Sequence, residues 1–281
     1  MRCGNGTRDK FNKLRRGILR VMNSLAPVLF IGHGSPMNAI TQSPFTQTLS
    51  DLARRLPKPT AICCVSAHWQ TRGIYVLESP KPKTIHDFGG FPRDLYTVQY
   101  PANGSPEIAK NTADLLAEHD PHLTSEWGLD HGTWSVLCHM FPDANIPVYQ
   151  ISLDLSRSVA EHLLVAKELM DLRKKGVWIL GSGNVVHNLG MLDWENPDSG
   201  FDWAHIFDAY VKEALLNDTP DKLVNFQQGG SEARLAVPTL DHYLPLIYML
   251  GLRRPTDQIS FPYEGFEYGG ISMRAVLLEA S

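Results

Sequence analysis

The sequence is most informative first for what it holds little of. Its four cysteines, Cys3, Cys63, Cys64 and Cys138, form no CxxC pair and no disulfide framework. A reducing, cytoplasmic setting is therefore the expectation. No apolar run approaches the ~20 residues of a membrane span. Positive charge is in deficit, with 26 Lys and Arg against 30 Asp and Glu, a net of −4. A nucleic-acid surface would normally be basic, so that partner class is set aside. The 22 glycines never complete a dinucleotide fingerprint or a P-loop. Gly32-His33-Gly34 and Gly181-Ser182-Gly183 each lack the third glycine, and the second lacks the residue that a nucleophile elbow places between Gly and Ser. Ser35 and Ser66 lie near histidines without the spacing of a hydrolase triad. There is no internal repeat, low-complexity tract or domain linker.

The charge total hides an asymmetry. Residues 1–22 carry seven Lys and Arg against Asp9 alone, a charge of +6, which leaves −10 for the remainder. This leader lacks the continuous apolar core of a secretory signal. Residues 1–25 are expected to form a flexible basic extension, with Met22 an alternative beginning, and residues 26–281 one domain. At 43% hydrophobic, a chain of this length can bury a full core.

What the sequence does have is one construction used three times. Val28-Leu29-Phe30-Ile31-Gly32 runs into His33, a Gly and a Pro stop. Ala61 to Ala67 is an apolar run that ends in His68. Val177 to Gly183 leads through Asn184-Val185-Val186 to His187. Short apolar runs closed by Gly or Pro read as buried strands. In an open α/β sheet the loops beyond the carboxyl ends of such strands converge on one crevice. Three strands delivering a histidine there point to a metal site, because neutral imidazole is the commonest metal ligand.

Between these strands the helical signals are ordinary. Ser43-Pro44 opens a helix with Phe45, Leu49, Leu52 and Leu56 on one stripe, stopped by Pro57. Ser105-Pro106 opens another, with Ile108, Thr112, Leu115 and His119 aligned. Ser158 and Glu161 make a capping box for a crossover helix ending at Gly176, with Val159, Leu163, Ala166 and Met170 as its buried stripe. Trp203, Phe207 and Tyr210 mark an amphipathic helix, and an apolar helix ends near Gly251. A strand is expected near Ile259 and an apolar one from Ile271 to Leu278. Cys63 and Cys64, neighbours in a strand, should face opposite sides of the sheet. Residues 79–101 form a long Pro- and Gly-rich loop, of a length usually functional or mobile. Of the remaining histidines, His119, His122, His139, His162 and His205 carry no partner motif and are read as structural. The fold expected is α/β: a single domain with a central mixed sheet, helices on both faces and the metal site at the carboxyl ends of strands.

Six motifs in order also carry a family resemblance. They are Gly-His-Gly-Ser-Pro-Met at 32–37, Ser-Ala-His-Trp at 66–69, Thr-Ile-His-Asp-Phe-Gly-Gly-Phe-Pro at 84–92, Asp-His-Gly-Thr-Trp at 130–134, Gly-Asn-Val-Val-His-Asn at 183–188 and Asp-His-Tyr-Leu-Pro-Leu at 241–246. Together they resemble the class III extradiol ring-cleavage dioxygenases of the LigB superfamily, within it the DOPA 4,5-dioxygenase branch, over residues 26–278. The resemblance implies His33, His68 and His242 as metal ligands. It implies His187 as a base that also serves as a ligand, His131 as an acid/base partner, and His86 with Asp87 near the substrate. Asp241 is expected to point away from the site. The implied reaction opens a catechol such as DOPA with O2 to a muconic semialdehyde.

One departure bears on the metal. Protocatechuate-type relatives complete a two-histidine, one-carboxylate triad suited to Fe(II), whereas the matching position here is His242. Fe(II) is expected for the O2 chemistry. An all-histidine set also suits Zn(II), expected in purified protein. The alternatives on the same residues are a zinc hydrolase using an activated water, and a non-catalytic metal-binding relative.

Overall fold

The computed structural model describes residues 25–281; the basic leader lies outside the described residues. The strands are β1 (Val28–Gly32), β2 (Ala61–Thr71), β3 (Tyr75–Leu77), β4 (His122–Thr124), β5 (Val148–Asp154), β6 (Val177–Gly183), β7 (Asp257–Tyr263), β8 (Phe266–Glu267), β9 (Ile271–Ser272) and β10 (Ala275–Ala280). Eight of them form one sheet in the order β4-β3-β5-β2-β6-β1-β10-β7, and β8 pairs with β9. The central four, β5, β2, β6 and β1, are mutually parallel. β10 and β7 run antiparallel beside β1, and β3 runs antiparallel to β5. The sheet is thus mixed, and its parallel centre reads as near-continuous apolar sequence because it is covered on both faces.

Helices supply that cover. They are α1 (Pro44–Arg55), α2 (Pro106–Leu115), α3 (His131–Met140), α4 (Val159–Glu168), α5 (Asp202–Leu216) and α6 (Leu244–Gly251). Ser43 and Thr46 form a reciprocal cap on α1, and Ser158 and Glu161 do the same on α4. Strand alternation sorts residues to two cores. Val28, Phe30 and Cys63 join the one packed by α4, α5 and α6, while Leu29, Ile31 and Cys64 join the one packed by α1 and α3. Each face buries aliphatic and aromatic side chains almost completely, at ~25 cal/mol per Å² of apolar surface removed from water. Among the described residues no helix is long and apolar enough to cross a membrane.

Two expectations shift. The crossover helix breaks at Leu169 before a short continuation, Met170–Lys174, and its buried stripe is Val159, His162, Val165 and Ala166. Leu163 and Met170 sit only at the margin of the core, because His162 turns inward to Tyr248 Oη, 3.3 Å from its Nδ1. The apolar strand expected from Ile271 to Leu278 is divided, since the buried Arg274 between the halves is drawn to Asp208 and Glu264. The aromatic segment around Asp130 is the start of a helix, α3, capped by the Asp130 carboxylate on Thr133 N.

Candidate metal centre and its cavity

The parallel register decides where the histidines go. Ser66, Ser182 and Ile31 lie at one level across β2, β6 and β1, and Gly183 pairs with Gly32 one step on. His33 and His68 therefore leave the sheet side by side, with their Nε2 atoms 3.0 Å apart. His242 reaches the same point from the turn before α6. Its carbonyl accepts the Asn184 N–H at 2.8 Å, and a Cβ added at Gly183 would stand 2.2 Å from that carbonyl. Only glycine lets the end of β6 pass so close beneath the third histidine. Donor atoms of His33, His68 and His242 all lie within 4.8 Å of one another.

Two of the three rings are hydrogen-bonded from behind, and a carboxylate stands near the third. Ser182 donates its hydroxyl proton to the Gly132 carbonyl at 2.5 Å, so towards His33 Nδ1, 3.0 Å away, it acts as acceptor. The Asp241 carboxylate accepts from His242 Nδ1, and Asp87 Oδ2 lies 3.4 Å from His68 Nδ1. With the Nδ1 atoms carrying the protons, the Nε2 atoms keep their lone pairs. Two lone pairs facing at 3.0 Å repel unless a cation lies between them, so the donor set fits a divalent metal ion. Burial, then the charges of neighbouring histidines, holds His33 and His68 well below the usual histidine range. Both are neutral imidazoles, the form a metal requires.

Asp241 departs from its expectation. It points at the site and holds His242, since its buried carboxylate finds the adjacent ring N–H. Burial alone would raise it, but the contacts with His242 prevail and hold it far below the usual carboxylate range.

His187, expected as a fourth ligand, is not within that three-histidine grouping. Its ring lies flat on His242, centroids 3.4 Å apart and planes 7° from parallel. Burial, then His242, lowers its pKa to about 3, so it too is neutral at physiological pH.

Asp87 and His131 form a second unit. Asp87 Oδ1 accepts the His131 backbone N–H at 2.8 Å, and Oδ2 its Nδ1–H at 2.9 Å. Burial works to raise Asp87, but these bonds outweigh it and keep the carboxyl ionised. His131, the first residue of α3, stands over His68 with ring centroids 3.8 Å apart. Asp130 joins the pieces by accepting from Ser66 Oγ and Gln150 Nε2, each at 2.7 Å. The loop carrying Asp87 is tied down: Ile85 N–H reaches Leu129, and Trp134 Nε1 donates to the Ile85 carbonyl at 2.8 Å.

His33, His68, Asp87, His131, His187 and His242 all line one cavity of about 500 Å³. That size suits a small aromatic molecule. His86 does not line it. The ring packs behind Phe88 and Trp134, with Nε2 against the Val98 carbonyl at 3.0 Å.

Sequence reasoning passed over Ser182 and Glu267. Glu267 receives Ser35 N–H at 3.0 Å and Asn38 Nδ2 at 2.8 Å, and Asn38 also reaches the His33 carbonyl, which fixes the loop after β1. These partners are up to 232 residues apart in the chain, and no local pattern announces them.

Residues 27–277 match the family of the catalytic LigB subunit of aromatic ring-opening dioxygenases. The chain is 46% identical over 256 residues to a protein of Escherichia coli K12 described as 4,5-DOPA dioxygenase extradiol, covering 89% of this chain and 93% of that one. A Beta vulgaris protein of the same description is 33% identical over 255 residues, covering 89% and 94%. A solved structure of an Escherichia coli K12 protein described as uncharacterized superposes with a TM-score of 0.79 at 40% identity, covering 90% of this chain and 99% of that one. A histidine cluster that fits a metal, a hydrogen-bonded Asp–His pair beside it and these likenesses agree, and the chain belongs to the LigB family of extradiol aromatic ring-opening dioxygenases.

Proposed function

We propose that the enzyme opens a catechol with O2 beside its two hydroxyls to give a muconic semialdehyde, using Fe(II) held by His33, His68 and His242. DOPA is the catechol that the relatives' descriptions name. The observation that carries the reading is the convergence of the His33, His68 and His242 imidazoles with an Asp87–His131 pair in one cavity. Held by these three imidazoles, Fe(II) would supply the electron transfer to O2 that Zn(II), with one accessible oxidation state, cannot.

The residues do the rest. His187, uncharged and stacked on His242, takes the proton of a catechol hydroxyl. Its position beside the proposed metal donors supports the role of base, and a turn of its ring would make it a further ligand when no substrate is bound. His131, its Nδ1–H fixed on the ionised Asp87, has a free Nε2 lone pair with which to accept the second catechol proton and then returns it as the ring opens. Asp87 thus serves the substrate through His131, and Phe88, edge-on to His131 at 5.5 Å, closes that side of the cavity against water.

The test is anaerobic loading with Fe(II) or Zn(II), then a catechol and oxygen. Oxygen uptake with a yellow product from the iron form alone supports the reading; equal turnover with zinc, or turnover without oxygen on an ester, sinks it in favour of a hydrolase. His187→Ala and His131→Ala should reduce turnover far more than thermal stability.

A further inference from the structure

Among the described residues, four besides glycine hold a positive φ: Asp120, Ala144, Asp218 and Tyr268. The first three have short side chains and close turns behind helices, their N–H groups bonded to the carbonyls of Ala117, Phe141 and Leu215. Tyr268, at φ 51°, is different in kind, because a bulky side chain in the left-handed region is a genuine outlier. Glycine follows it twice. A Cβ at Gly269 would stand 2.5 Å from the Phe201 ring, and one at Gly270 2.4 Å from the Met191 carbonyl. The turn is therefore built for glycine, yet its first position is a tyrosine.

The strained residue is held from several sides. Its N–H donates to the Pro197 carbonyl at 2.8 Å, and its own carbonyl accepts from Asp193 N–H at 2.8 Å and Gly270 N–H at 2.9 Å. The preceding Glu267 is tied to Ser35 and Asn38 in the loop after His33, and Ile271, further along the hairpin, bridges to His187. The Tyr268 ring lines the cavity, with Trp194 leaning on it at 4.8 Å. Backbone strain persists only where the surroundings over-determine it, and it gathers where a side chain meets a ligand.

The reaction leaves such a residue something to decide. The two hydroxyls of a catechol are alike towards the imidazole cluster, so a substituted catechol has two ways round in the cavity. One opens the ring beside the first hydroxyl, the other beside the second. Either way both atoms of O2 enter one product, and the two products are isomers. Only a group that meets the substituent can choose between them. We infer that the ring of Tyr268 sets which way round a substituted catechol lies, and so which ring bond opens; this rests on the ring-opening reading above. The left-handed turn is retained because it keeps that ring fixed relative to the histidines.

The experiment uses the full iron-loaded chain with DOPA and with unsubstituted catechol, the products being separated by chromatography and identified by NMR. The parent should give one isomer from DOPA in about tenfold excess or more, about 1.4 kcal/mol between the two orientations. Tyr268→Gly and Tyr268→Ala should bring the isomers within about threefold of each other, whereas Tyr268→Phe, which keeps the ring, should hold the parent ratio. Catechol itself has no second orientation, so its kcat/KM should fall less than that for DOPA in the Gly and Ala variants. Thermal unfolding isolates the strain. Tyr268→Gly should unfold about 2–4 °C above Tyr268→Ala, since both lack the ring and only alanine keeps the left-handed cost. A parent that makes both isomers equally overturns the inference, as does an unchanged ratio in the Gly and Ala variants or an altered one in Tyr268→Phe. Equal losses with catechol and DOPA, or equal unfolding midpoints for Gly and Ala, overturn it too. In each of these cases cleavage still occurs and the ring-opening reading stands. If the iron-loaded protein consumes oxygen with neither compound, both fall.

Discussion

His33, at the end of β1, is 1% exposed and backed by Ser182, which is itself held by the Gly132 carbonyl. Trp194, across the same cavity, is 71% exposed and leans on Tyr268. The inner wall is thus set by buried strands and a chain of hydrogen bonds, and the outer one by side chains on loops. Reactive groups must be held to within a fraction of an ångström, which burial and back-bonding achieve. A wall that only has to accept apolar surface tolerates looser construction. The contrast implies that substitutions on the inner wall change metal binding and rate, and those on the outer wall change which molecule is accepted.

The largest effect is expected at His33. His33→Ala should abolish both metal uptake and oxygen consumption, as read by metal analysis beside an oxygen electrode. Retained stoichiometric metal would break the assignment of the inner wall. Next comes His131→Gln, for which turnover should drop by ~10²–10⁴, the usual worth of a positioned acid or base, with metal content unchanged. A parallel loss of metal would place His131 among the ligands instead. Asp241→Asn should weaken metal affinity by ~10–100-fold in a chelator competition, because the partner behind a ligating histidine sets its orientation and basicity. Its kcat at saturating metal should stay near that of the parent. The smallest effect belongs to the outer wall, where Leu189→Ser should change unfolding free energy by less than about 0.5 kcal/mol in a denaturant titration. A larger loss would mean that the loop is part of the core and not a contact surface.

The same contrast explains how much could be read from the chain. Strands β1, β2 and β6 announce themselves because a short apolar run leads to a histidine within at most eleven positions, with Gly closing the run in β1 and β6. The alternation that sends Cys63 and Cys64 to different cores is equally local. His242 lies in a turn and His131 at a helix start, and no strand signal marks either, so only the family motifs brought them forward. The Asp130-to-Thr133 cap starts α3, whereas in the sequence that stretch stands out only for its aromatic, glycine and histidine content. Ser182, Asp241 and Glu267 gain their roles from what they touch in three dimensions. His86 and Asp87 are adjacent in sequence, yet one turns to the Val98 carbonyl and the other to His131.

The pairing of β1 with β10 has a consequence for how the molecule is made. β1 begins at residue 28 and β10 ends at residue 280, yet Val28 sits opposite Leu278. During synthesis one edge of β1 has to wait, unpaired, for a strand translated some 250 residues later, a contact of very high sequence separation. His33 is among the first parts of the candidate site to be translated, yet the strand that covers the open edge of β1 beside it is made some 250 residues later, so that edge of the sheet closes after the rest of the described sheet has been made.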